Sequence, residues 1–479
     1  MGHDMQFPFA PRFRRLHLWA AGVAAVICGD FVAWQPAFAE GVDCALLAFF
    51  VAALFYMLLV SSLTEVMSRM GDAEGPSQVA ACIGPRTSFL AGFIECLKCV
   101  LIMADINAAM GALMEELTQS DPDFQPLWWI LFSALVLLLN TKLMAISVQA
   151  LVAMTFCSLA IVLAYFVVSS PRTFKHAQEA MAGGEILDDV SFLHFFKSLP
   201  AGIWCFLGLE EMLWLGKFSV DMKANVPRAL TAAYVTLFIL AMLTLICSLA
   251  ASPGMTVTAH DKFPLLVAYF DVFHETAVTR HFALLLLLGM MASLHTFTFV
   301  GGQLVTQMAE DSLFPACLAQ RDSKTGAPTY SSALCLIVAL LLLEVVFQAL
   351  DHQYEDIQRS FTSAASVVAL VGYLIQLSCF MLIRCRSPPE DSIFLSPFGV
   401  LGAGTALALT IVLLASVLLS PLFYPLNFGG VMLSLAMLLL ACCLHESYRQ
   451  QQRKSIRTSN IMPRTESSER DISQPQAQT

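Results

Sequence analysis

Charged residues are scarce in this chain of 479 residues: Asp, Glu, Lys and Arg make up 13% of it, whereas hydrophobic residues make up 57%. Soluble domains carry about 25% charged residues, so this composition excludes an ordinary soluble fold. Five long segments contain no charged side chain at all, namely 44–64, 143–171, 229–259, 360–383 and 392–444. A helix needs about 20 apolar residues to cross the hydrocarbon core, where the backbone must satisfy its own hydrogen bonds. The sequence therefore predicts an all-α, multi-pass membrane protein.

The fourteen cysteines lie mostly inside apolar runs, which is typical of buried thiols that act as small hydrophobic residues. We therefore predict no disulfide framework, no metal site and no cofactor. The apolar stretch from Leu16 to Ala39 lacks the pattern of a cleavable signal and leads into further apolar runs. It therefore predicts a first membrane helix.

We predict twelve transmembrane helices, with turn-forming residues such as Pro421 and Pro425 between the last two. The spans are 17–38, 43–66, 88–114, 126–142, 145–170, 193–215, 229–251, 280–308, 330–349, 359–383, 398–419 and 424–445. The chain then divides into a cytoplasmic N-terminal segment (1–16), a membrane domain (17–445) and a polar tail (446–479) that we expect to be disordered.

The distribution of Lys and Arg predicts the orientation. With the N-terminus inside, inner segments and the tail hold 19 of these residues and the outer loops hold five. Basic residues accumulate on the cytoplasmic side of membrane proteins, and an odd number of spans would disturb the bias. We therefore expect both termini in the cytoplasm, and the plasma membrane as the location.

Ionisable side chains inside predicted spans are costly and mark candidate functional positions. Glu95 and Lys98 lie three residues apart on one helical face and are expected to neutralise each other; a proton relay through Glu95 is the alternative. His295 is either a packing residue or part of such a relay. The candidates are Asp30 in helix 1, Glu95, Lys98 and Asp105 in helix 3, Glu210 and Glu211 in helix 6, and His295 in helix 8.

Helices 1 and 6 each combine glycine with a carboxylate near mid-span: Gly29 with Asp30, and Gly208 with Glu210. Two interrupted hydrophobic segments, separated by five spans, are the pattern of inverted-repeat transporters, whose unwound backbone binds charged groups near the bilayer midplane. Nearby aromatic residues either cover a bound cation or pack in the core. These aromatic residues are Trp34, Trp204 and Phe206.

Three motifs in chain order resemble the amino acid–polyamine–organocation (APC) superfamily, and the likeness extends over about 17–445. Gly208-Leu-Glu210 is followed by Asn225-Val-Pro-Arg-Ala, as at the end of helix 6 in that family. Segment 303–315 resembles the end of helix 8, and Arg384-Cys-Arg-Ser-Pro-Pro precedes Pro397-Phe-Gly. The sequence departs from the family where Gln303 replaces an arginine, Glu310 replaces a second arginine and Lys217 interrupts an acidic run.

Within the superfamily, segment 27–34 (Ile-Cys-Gly-Asp-Phe-Val-Ala-Trp) is similar to the Ile-Ser-Gly-Glu-Tyr-Phe-Gly-Trp run of bacterial-type ethanolamine permeases. Amino-acid members usually have Gly-Ser-Gly there, so an acid in its place implies a substrate with an ammonium group. Glu95 matches the first of two glutamates in helix 3 of that subfamily, and Lys98 replaces the second.

The resemblance implies a leucine-transporter-type fold, in which helices 1–5 and 6–10 form two inverted repeats and two helices are added. The substrate-binding residues that we expect are Ile27, Cys28, Gly29, Asp30, Phe31, Trp204, Phe206, Leu207 and Gly208. The expected gating or coupling residues are Trp34, Glu95, Lys98, Glu210, Ser293, His295 and Thr296.

The expected function is secondary active transport of amino acids or small, ethanolamine-like amines by alternating access, as a symporter or an antiporter. The partners are the substrate and the lipid bilayer, without nucleic acid. Coupling to H⁺ or to Na⁺ fits the residues equally. A non-transporting nutrient sensor on the same fold is the alternative, because motifs of helix 8 are altered. An enzyme is disfavoured because the histidines are scattered.

Overall fold

The computed structural model describes residues 13–32, 34–69, 75–142, 144–182, 191–248, 259, 261–386, 394–425 and 427–461. Within these ranges, the side chains of residues 30, 144–145, 171–182, 268 and 447–461 lie outside the description. Residues 1–12 of the N-terminal segment and residues 462–479 of the predicted disordered tail (446–479) lie outside the described residues as well.

The described chain is helical, and its one β-type contact is an isolated bridge between Phe13 and Ser219. The α-helices are α1 (Arg15–Ile27), α2 (Val42–Arg69), α3 (Pro76–Ala80), α4 (Pro85–Thr118), α5 (Gln125–Thr141), α6 (Met144–Ala182), α7 (Phe192–Trp204), α8 (Glu211–Trp214), α9 (Met222–Ser248), α10 (Pro264–Phe273), α11 (Ala277–Ala283), α12 (Leu287–Glu310), α13 (Thr329–Ala349), α14 (Tyr354–Arg386), α15 (Gly399–Leu419) and α16 (Asn427–Ile461).

Within the described residues, nine helical segments are long and apolar enough to cross a membrane. The other three predicted spans correspond to α4, which carries buried charges, and to the two interrupted helices α1 and α7–α8. An all-helical membrane fold is therefore confirmed, and the count of twelve spans stays a prediction.

Both expected interruptions are present. Helix α1 ends at Ile27 and continues as a 3₁₀ turn, Cys28–Asp30, before a second 3₁₀ segment, Gln35–Glu40. Helix α7 ends at Trp204, and α8 begins only at Glu211. In the second break Gly208 has φ of 104°, a left-handed conformation that favours glycine.

The buried centre of the bundle is α4, in which almost every residue from Ala91 to Met114 is enclosed. It packs against α12, α13 and α14, while α1 packs against α9 and α12. The peripheral helices α5, α6, α13, α15 and α16 instead expose large apolar side chains such as Leu131, Phe156 and Leu401. Exposed apolar faces around a core that contains charges suit a lipid environment.

The bundle is closed on the face where Phe13 lies, which we term the N-terminal face. The Phe13 N–H donates to Phe218 O at 2.8 Å, and Val220 N–H donates to Phe13 O at 3.0 Å. The rings of Phe13, Phe218 and Phe299 lie with their centroids 5.7–6.0 Å apart. The start of the described chain therefore seals this face against the end of the second interrupted helix.

A vestibule of about 140 Å³ lies on the opposite face. An engineered cavity of about 150 Å³ is large enough to bind benzene, so the vestibule has room for a small organic molecule. Its walls come from the segments after the first break, before the second break and at the start of α14, and they include Gln35, Pro200, Arg359 and Thr362. The bundle thus has a pocket at one face and an aromatic seal at the other, with the described residues of both helix breaks buried between them.

Some helical boundaries differ from the predictions. Helix α3 and helix α10 were not expected, and α16 continues to Ile461 instead of ending near residue 445. The extension from residue 446 to 461 is rich in Gln, Arg and Lys, which favour helix, and it contains no proline; the next proline is Pro463. Residues 446–461 therefore have a helical backbone, where we expected disorder.

We expect Gly208→Ala to destabilise the protein by about 1–3 kcal/mol, because a side chain at positive φ is strained. An added Cβ would also lie 2.7 Å from the ring of Phe297. Thermal unfolding of the purified chain measures the effect. Gly404→Ala in α15 is the matched control, since a Cβ there meets nothing within 4 Å; equal melting temperatures for the two variants would contradict the prediction.

Candidate functional site

A cluster of four charged side chains lies in the interior of the bundle, and we call Glu95, Lys98, Glu210 and Glu211 the charge cluster. Lys98 Nζ lies 2.6 Å from Glu95 Oε2, 2.6 Å from Glu210 Oε1 and 2.9 Å from Glu211 Oε1. All four side chains are fully buried. The expected pairing of Glu95 with Lys98 is present. Glu210 and Glu211, at the end of the second helix break between α7 and α8, share the same lysine.

Helix α14 contributes neutral partners to the charge cluster. The Tyr373 hydroxyl donates to Glu210 Oε1, and Gln376 Nε2 donates to Glu95 Oε1 at 2.5 Å. Tyr56 of α2 lies 3.4 Å from Tyr373, oxygen to oxygen. Lys98 Nζ also lies 5.4 Å from the centroid of the Tyr373 ring, within the range of a cation–π interaction. Three segments of the chain therefore meet at Lys98, and α2 reaches them through the contact of Tyr56 with Tyr373.

Glu210 connects the charge cluster to the unwound backbone of the second break, between α7 and α8. Its Oε2 accepts the Gly208 N–H at 3.2 Å, while its Oε1 faces Lys98. An amide in a helix break has no i−4 carbonyl to bond, and a buried N–H left without a partner is costly. The carboxylate of Glu210 therefore stabilises the break, and this stabilisation depends on Lys98 balancing its charge.

The charge cluster contains more acid than base. Three carboxylates face one ammonium group, so a fully ionised cluster would carry a net charge of −2. Burying an uncompensated ion costs several kcal/mol. Glu211 Oε2 has no hydrogen-bond partner among the described residues. The arrangement therefore favours uptake of a proton, and Glu211 is the carboxylate with a free oxygen to hold it.

The two helix breaks contact each other. An added Cβ on Gly29 would lie 3.2 Å from the carbonyl oxygen of Trp204, and one on Gly208 would lie 3.6 Å from that of Ala25. Ser293 of α12 links to the first break, since its hydroxyl accepts Cys28 N–H at 3.3 Å and donates to Ala24 O at 2.5 Å. The predicted substrate-binding segments are thus adjacent in space.

Asp30 lies in the 3₁₀ turn of the first break, but its side chain lies outside the described residues. Ile27 and Phe31 are buried on either side of it. Leu207 is buried in the second break. The Phe31 ring lies against Gly289 of α12.

Two of the three predicted aromatic residues, Trp34 and Phe206, pack against other rings. Trp34 packs edge-on against Phe38 with centroids 5.6 Å apart. Phe206 lies between Tyr56 and Tyr234, at 5.6 and 6.1 Å. These contacts are those of core packing, the second of the two interpretations drawn from the sequence.

His295 and Thr296 are held by neighbouring helices. The His295 ring lies 2.8 Å from the Ser147 hydroxyl through Nε2, and its carbonyl accepts from Asn140 Nδ2 at 3.1 Å. The Thr296 hydroxyl donates to Ala292 O, one turn earlier, at 3.0 Å. These contacts tie α12 to α5 and α6, as expected for a packing histidine.

An arginine from elsewhere in the chain lies beside the two positions at which this chain lacks the arginines of the family's helix 8 motif. Arg321, from the segment after α12, donates to Gln303 Oε1 at 2.9 Å and to Glu310 Oε1 at 3.0 Å. Gln303 and Glu310 are the two positions at which the resembling family has arginine. The guanidinium is therefore supplied from another position in the chain.

Several residues at the site were missed by sequence reasoning. Tyr373 and Gln376 lie in a span without a charged residue, and only the packing of α14 on α4 brings them to the charge cluster. Cys96 and Cys99 also form a C-x-x-C pair, which our prediction of no metal site overlooked. Both are buried free thiols on α4, and no group of three metal-ligating side chains occurs among the residues that the structure describes.

Comparison with known proteins agrees with this architecture. A family model described as amino acid permease matches residues 22–443. An uncharacterized transporter of Rhizobium meliloti (strain 1021) is 25% identical over 247 residues, which cover 48% of this chain and 51% of that protein. The match therefore spans about half the length of the curated relative.

The manganese transporter of Eremococcus coleocola, crystallised with an aromatic bis-isothiourea substituted compound, superposes with a TM-score of 0.57 at 16% identity. The superposition covers 95% of this chain and 97% of that one, and a mutant of the same transporter gives a TM-score of 0.54. At this identity the likeness shows the fold alone. It confirms the predicted class, an all-helical transporter fold of the APC type.

Replacing Lys98 with methionine is expected to destabilise the protein by about 3–5 kcal/mol, because three buried carboxylates lose their counter-charge. The measurement is thermal unfolding of the purified chain in detergent, near neutral pH. Lys142→Met is the matched control, since Lys142 is 60% exposed and lies 3.3 Å from Asp322. An exposed pair contributes about 0–1 kcal/mol.

The control leaves no unstable carboxylate behind. The backbone N–H groups of Thr325 and Lys324, with a smaller contribution from Lys142, lower the pKa of Asp322 to about 2. Asp322 therefore stays ionised without its lysine. If both lysine variants unfolded at the same temperature, Lys98 would not be the centre of a stabilising cluster.

Proposed function

The chain belongs to the amino acid permease family, and we propose that it transports a small amine or amino acid by alternating access. One observation carries the proposal. The two interrupted helices meet inside the bundle, below a vestibule on one face and behind an aromatic seal on the other. A site that opens to one face at a time is the requirement of alternating access.

In this proposal the substrate binds between the segments 27–31 and 204–208, where the breaks contact each other. Asp30 pairs with the ammonium group of the substrate, and the backbone around Gly29 and Phe206 orients the rest. Discontinuous helices suit this task, since unwound backbone offers amides and carbonyls without helical partners. A carboxylate at the first break favours an ethanolamine-like amine, in which no second carboxylate is present to be repelled.

The orientation proposed from the basic residues places the N-terminal face in the cytoplasm and the vestibule outside, with the plasma membrane as the location. The vestibule then faces outward, and the described residues of both breaks are buried beneath it. Transport requires the contacts of Phe13 with Phe218 and Phe299 to separate. Glu210 and Ser293 are the gating residues in this scheme, because each bonds to the backbone of one break.

We propose a proton as the coupling ion. The charge cluster has two carboxylates in excess of its lysine, and Glu211 has one oxygen without a partner among the described residues. The titratable groups that face Glu211 are Lys98, Glu95, Glu210 and Cys99. The sodium alternative would use the hydroxyl oxygens of Ser293 and Thr296, of which Ser293 Oγ already accepts a hydrogen bond from Cys28 N–H.

The test of the proposed function is uptake of labelled ethanolamine and of a panel of amino acids into proteoliposomes, with proton or sodium gradients imposed separately. Saturable uptake of one substrate class, driven by an inward proton gradient, is the expected result. Folded protein that binds an amine but moves none of these substrates would establish the sensor alternative instead.

Asp30→Asn is expected to reduce amine uptake to background while the protein keeps its folded yield and melting temperature, since the variant removes the charge and preserves the side-chain shape. Initial rates of uptake in proteoliposomes measure the effect. Asp351→Asn is the matched control, because Asp351 is exposed between α13 and α14. Wild-type uptake by Asp30→Asn would refute the salt bridge.

Glu211→Gln is expected to abolish the stimulation of uptake by an inward proton gradient while leaving exchange of labelled for unlabelled amine intact. Glutamine resembles the protonated carboxyl group and cannot release a proton. The two assays are run side by side in proteoliposomes, with the exposed Glu116→Gln as control. A variant that still responds to the gradient as the wild type does would exclude Glu211 as the coupling residue.

A further inference from the structure

A buried carboxylate at the edge of the vestibule joins three segments of the chain. Glu40 ends the 3₁₀ segment Gln35–Glu40 and is 8% exposed. Its Oε1 accepts a hydrogen bond from the Tyr424 hydroxyl, and its Oε2 lies 3.5 Å from Lys197 Nζ. Tyr424 belongs to the connector between α15 and α16, and Lys197 belongs to α7. The beginning and the end of the membrane domain therefore meet at one side chain.

Lys197 makes a second contact with the same connector. Its Nζ lies 5.3 Å from the centroid of the Phe423 ring and 5.9 Å from that of the Tyr424 ring. Both distances are within the range of cation–π attraction, which is stronger where the cation is shielded from water. The Lys197 side chain is largely shielded, at 19% exposed. Its ammonium group thus bridges the Glu40 carboxylate and two rings of the connector.

The two segments that these contacts hold are the ones that flank the helix breaks. Gln35–Glu40 follows the first break and α7 precedes the second. The buried Ser198 hydroxyl of α7 donates to Ala37 O at 3.4 Å, which ties the two segments together. They form one wall of the vestibule, to which Lys197 and Tyr424 also contribute. A movement of this wall against the connector therefore breaks these contacts.

Contacts with other segments matter for a helix as short as Gln35–Glu40. A 3₁₀ helix of six residues has few internal hydrogen bonds, and 3₁₀ runs longer than three or four residues are uncommon. Isolated helices of this length are marginal in water, so most of their stability comes from tertiary packing. Glu40 gives the segment a hydrogen bond with an ionised acceptor, which is the stronger class. The position of the segment therefore depends on the connector.

We propose that Glu40, Lys197, Phe423 and Tyr424 form a vestibule latch, through which the connector between the last two helices holds the vestibule wall in place. The proposal rests on the proposed function for the transport cycle, in which the vestibule latch is released each time the wall moves. It assigns a role to α15 and α16, which lie apart from the charge cluster and from both helix breaks.

The experiment is hydrogen–deuterium exchange of the purified full-length chain in detergent, without substrate, which measures how readily each backbone segment opens. Tyr424→Phe removes the hydroxyl group and keeps the ring that faces Lys197. We expect the amides of 35–40 and 194–204 to exchange about 10- to 100-fold faster, since a hydrogen bond to a charged group contributes about 1.5–3 kcal/mol. The amides of 91–114 in α4 are the internal reference and should keep their rate.

A second variant tests the pairing itself. Glu40→Met should also speed hydrogen exchange in both segments. Combining it with Tyr424→Phe should add less than about twofold to the stronger single variant, because both changes remove the same hydrogen bond. Tyr330→Phe is the matched control, since Tyr330 is 63% exposed at the start of α13, and it should leave hydrogen exchange at the wild-type rate.

Transport provides the second measurement. Tyr424→Phe should exchange labelled for unlabelled amine across proteoliposomes at least about threefold faster than the wild type. The reason is that a contact present in the described state, and released in every cycle, no longer holds the wall. Tyr330→Phe should exchange amine at the wild-type rate.

Each other outcome is decisive. Wild-type hydrogen exchange in both Tyr424→Phe and Glu40→Met would overturn the vestibule latch and leave the proposed function standing. Faster hydrogen exchange together with unchanged or slower exchange of amine would reduce the contacts to ordinary packing, and it would also overturn the latch. Faster hydrogen exchange in a chain that moves no amine would support the contact as a latch on the wall and refute transport.

Discussion

The attraction between one buried lysine and three buried carboxylates holds the centre of this membrane protein together. Lys98 lies within 3 Å of Glu95, Glu210 and Glu211, and all are closed to solvent. Through Glu210 the same attraction extends to the Gly208 N–H in the second helix break. A helix opened inside a bilayer needs partners for its freed amides, so the existence of the break depends on the position of the lysine. Packing of apolar side chains alone would favour a continuous helix.

The sequence predicted those features that depend on one segment at a time. Charge-free runs predicted the membrane class, and glycine beside a carboxylate predicted both helix breaks. The spacing of Glu95 and Lys98 predicted their contact. The sequence could not predict contacts between segments that lie far apart in the chain. These are the ion pair of Glu210 with Lys98 and the hydrogen bonds of Tyr373 to Glu210 and of Arg321 to Gln303. In the sequence, Tyr373 and Gln376 look like any other polar residues of an apolar span. Only the packing of α14 against α4 lets them donate hydrogen bonds to the buried carboxylates.

If a proton is the coupling ion, as proposed, Lys98 also determines how many protons the charge cluster takes up. The resembling ethanolamine permeases have a glutamate at this position, which together with Glu95, Glu210 and Glu211 would place four acids in one dry space. Such a cluster would need several protons to become neutral. Each proton bound would weaken the hydrogen bond that Glu210 accepts from Gly208 N–H in the second break. With lysine present, Glu210 keeps a permanent counter-charge at 2.6 Å. In the proposed proton coupling, protons would neutralise only the excess carboxylates, and Glu211 would exchange its proton without loosening Glu210 from Gly208. The lysine would thus separate the structural carboxylate from the one that exchanges a proton.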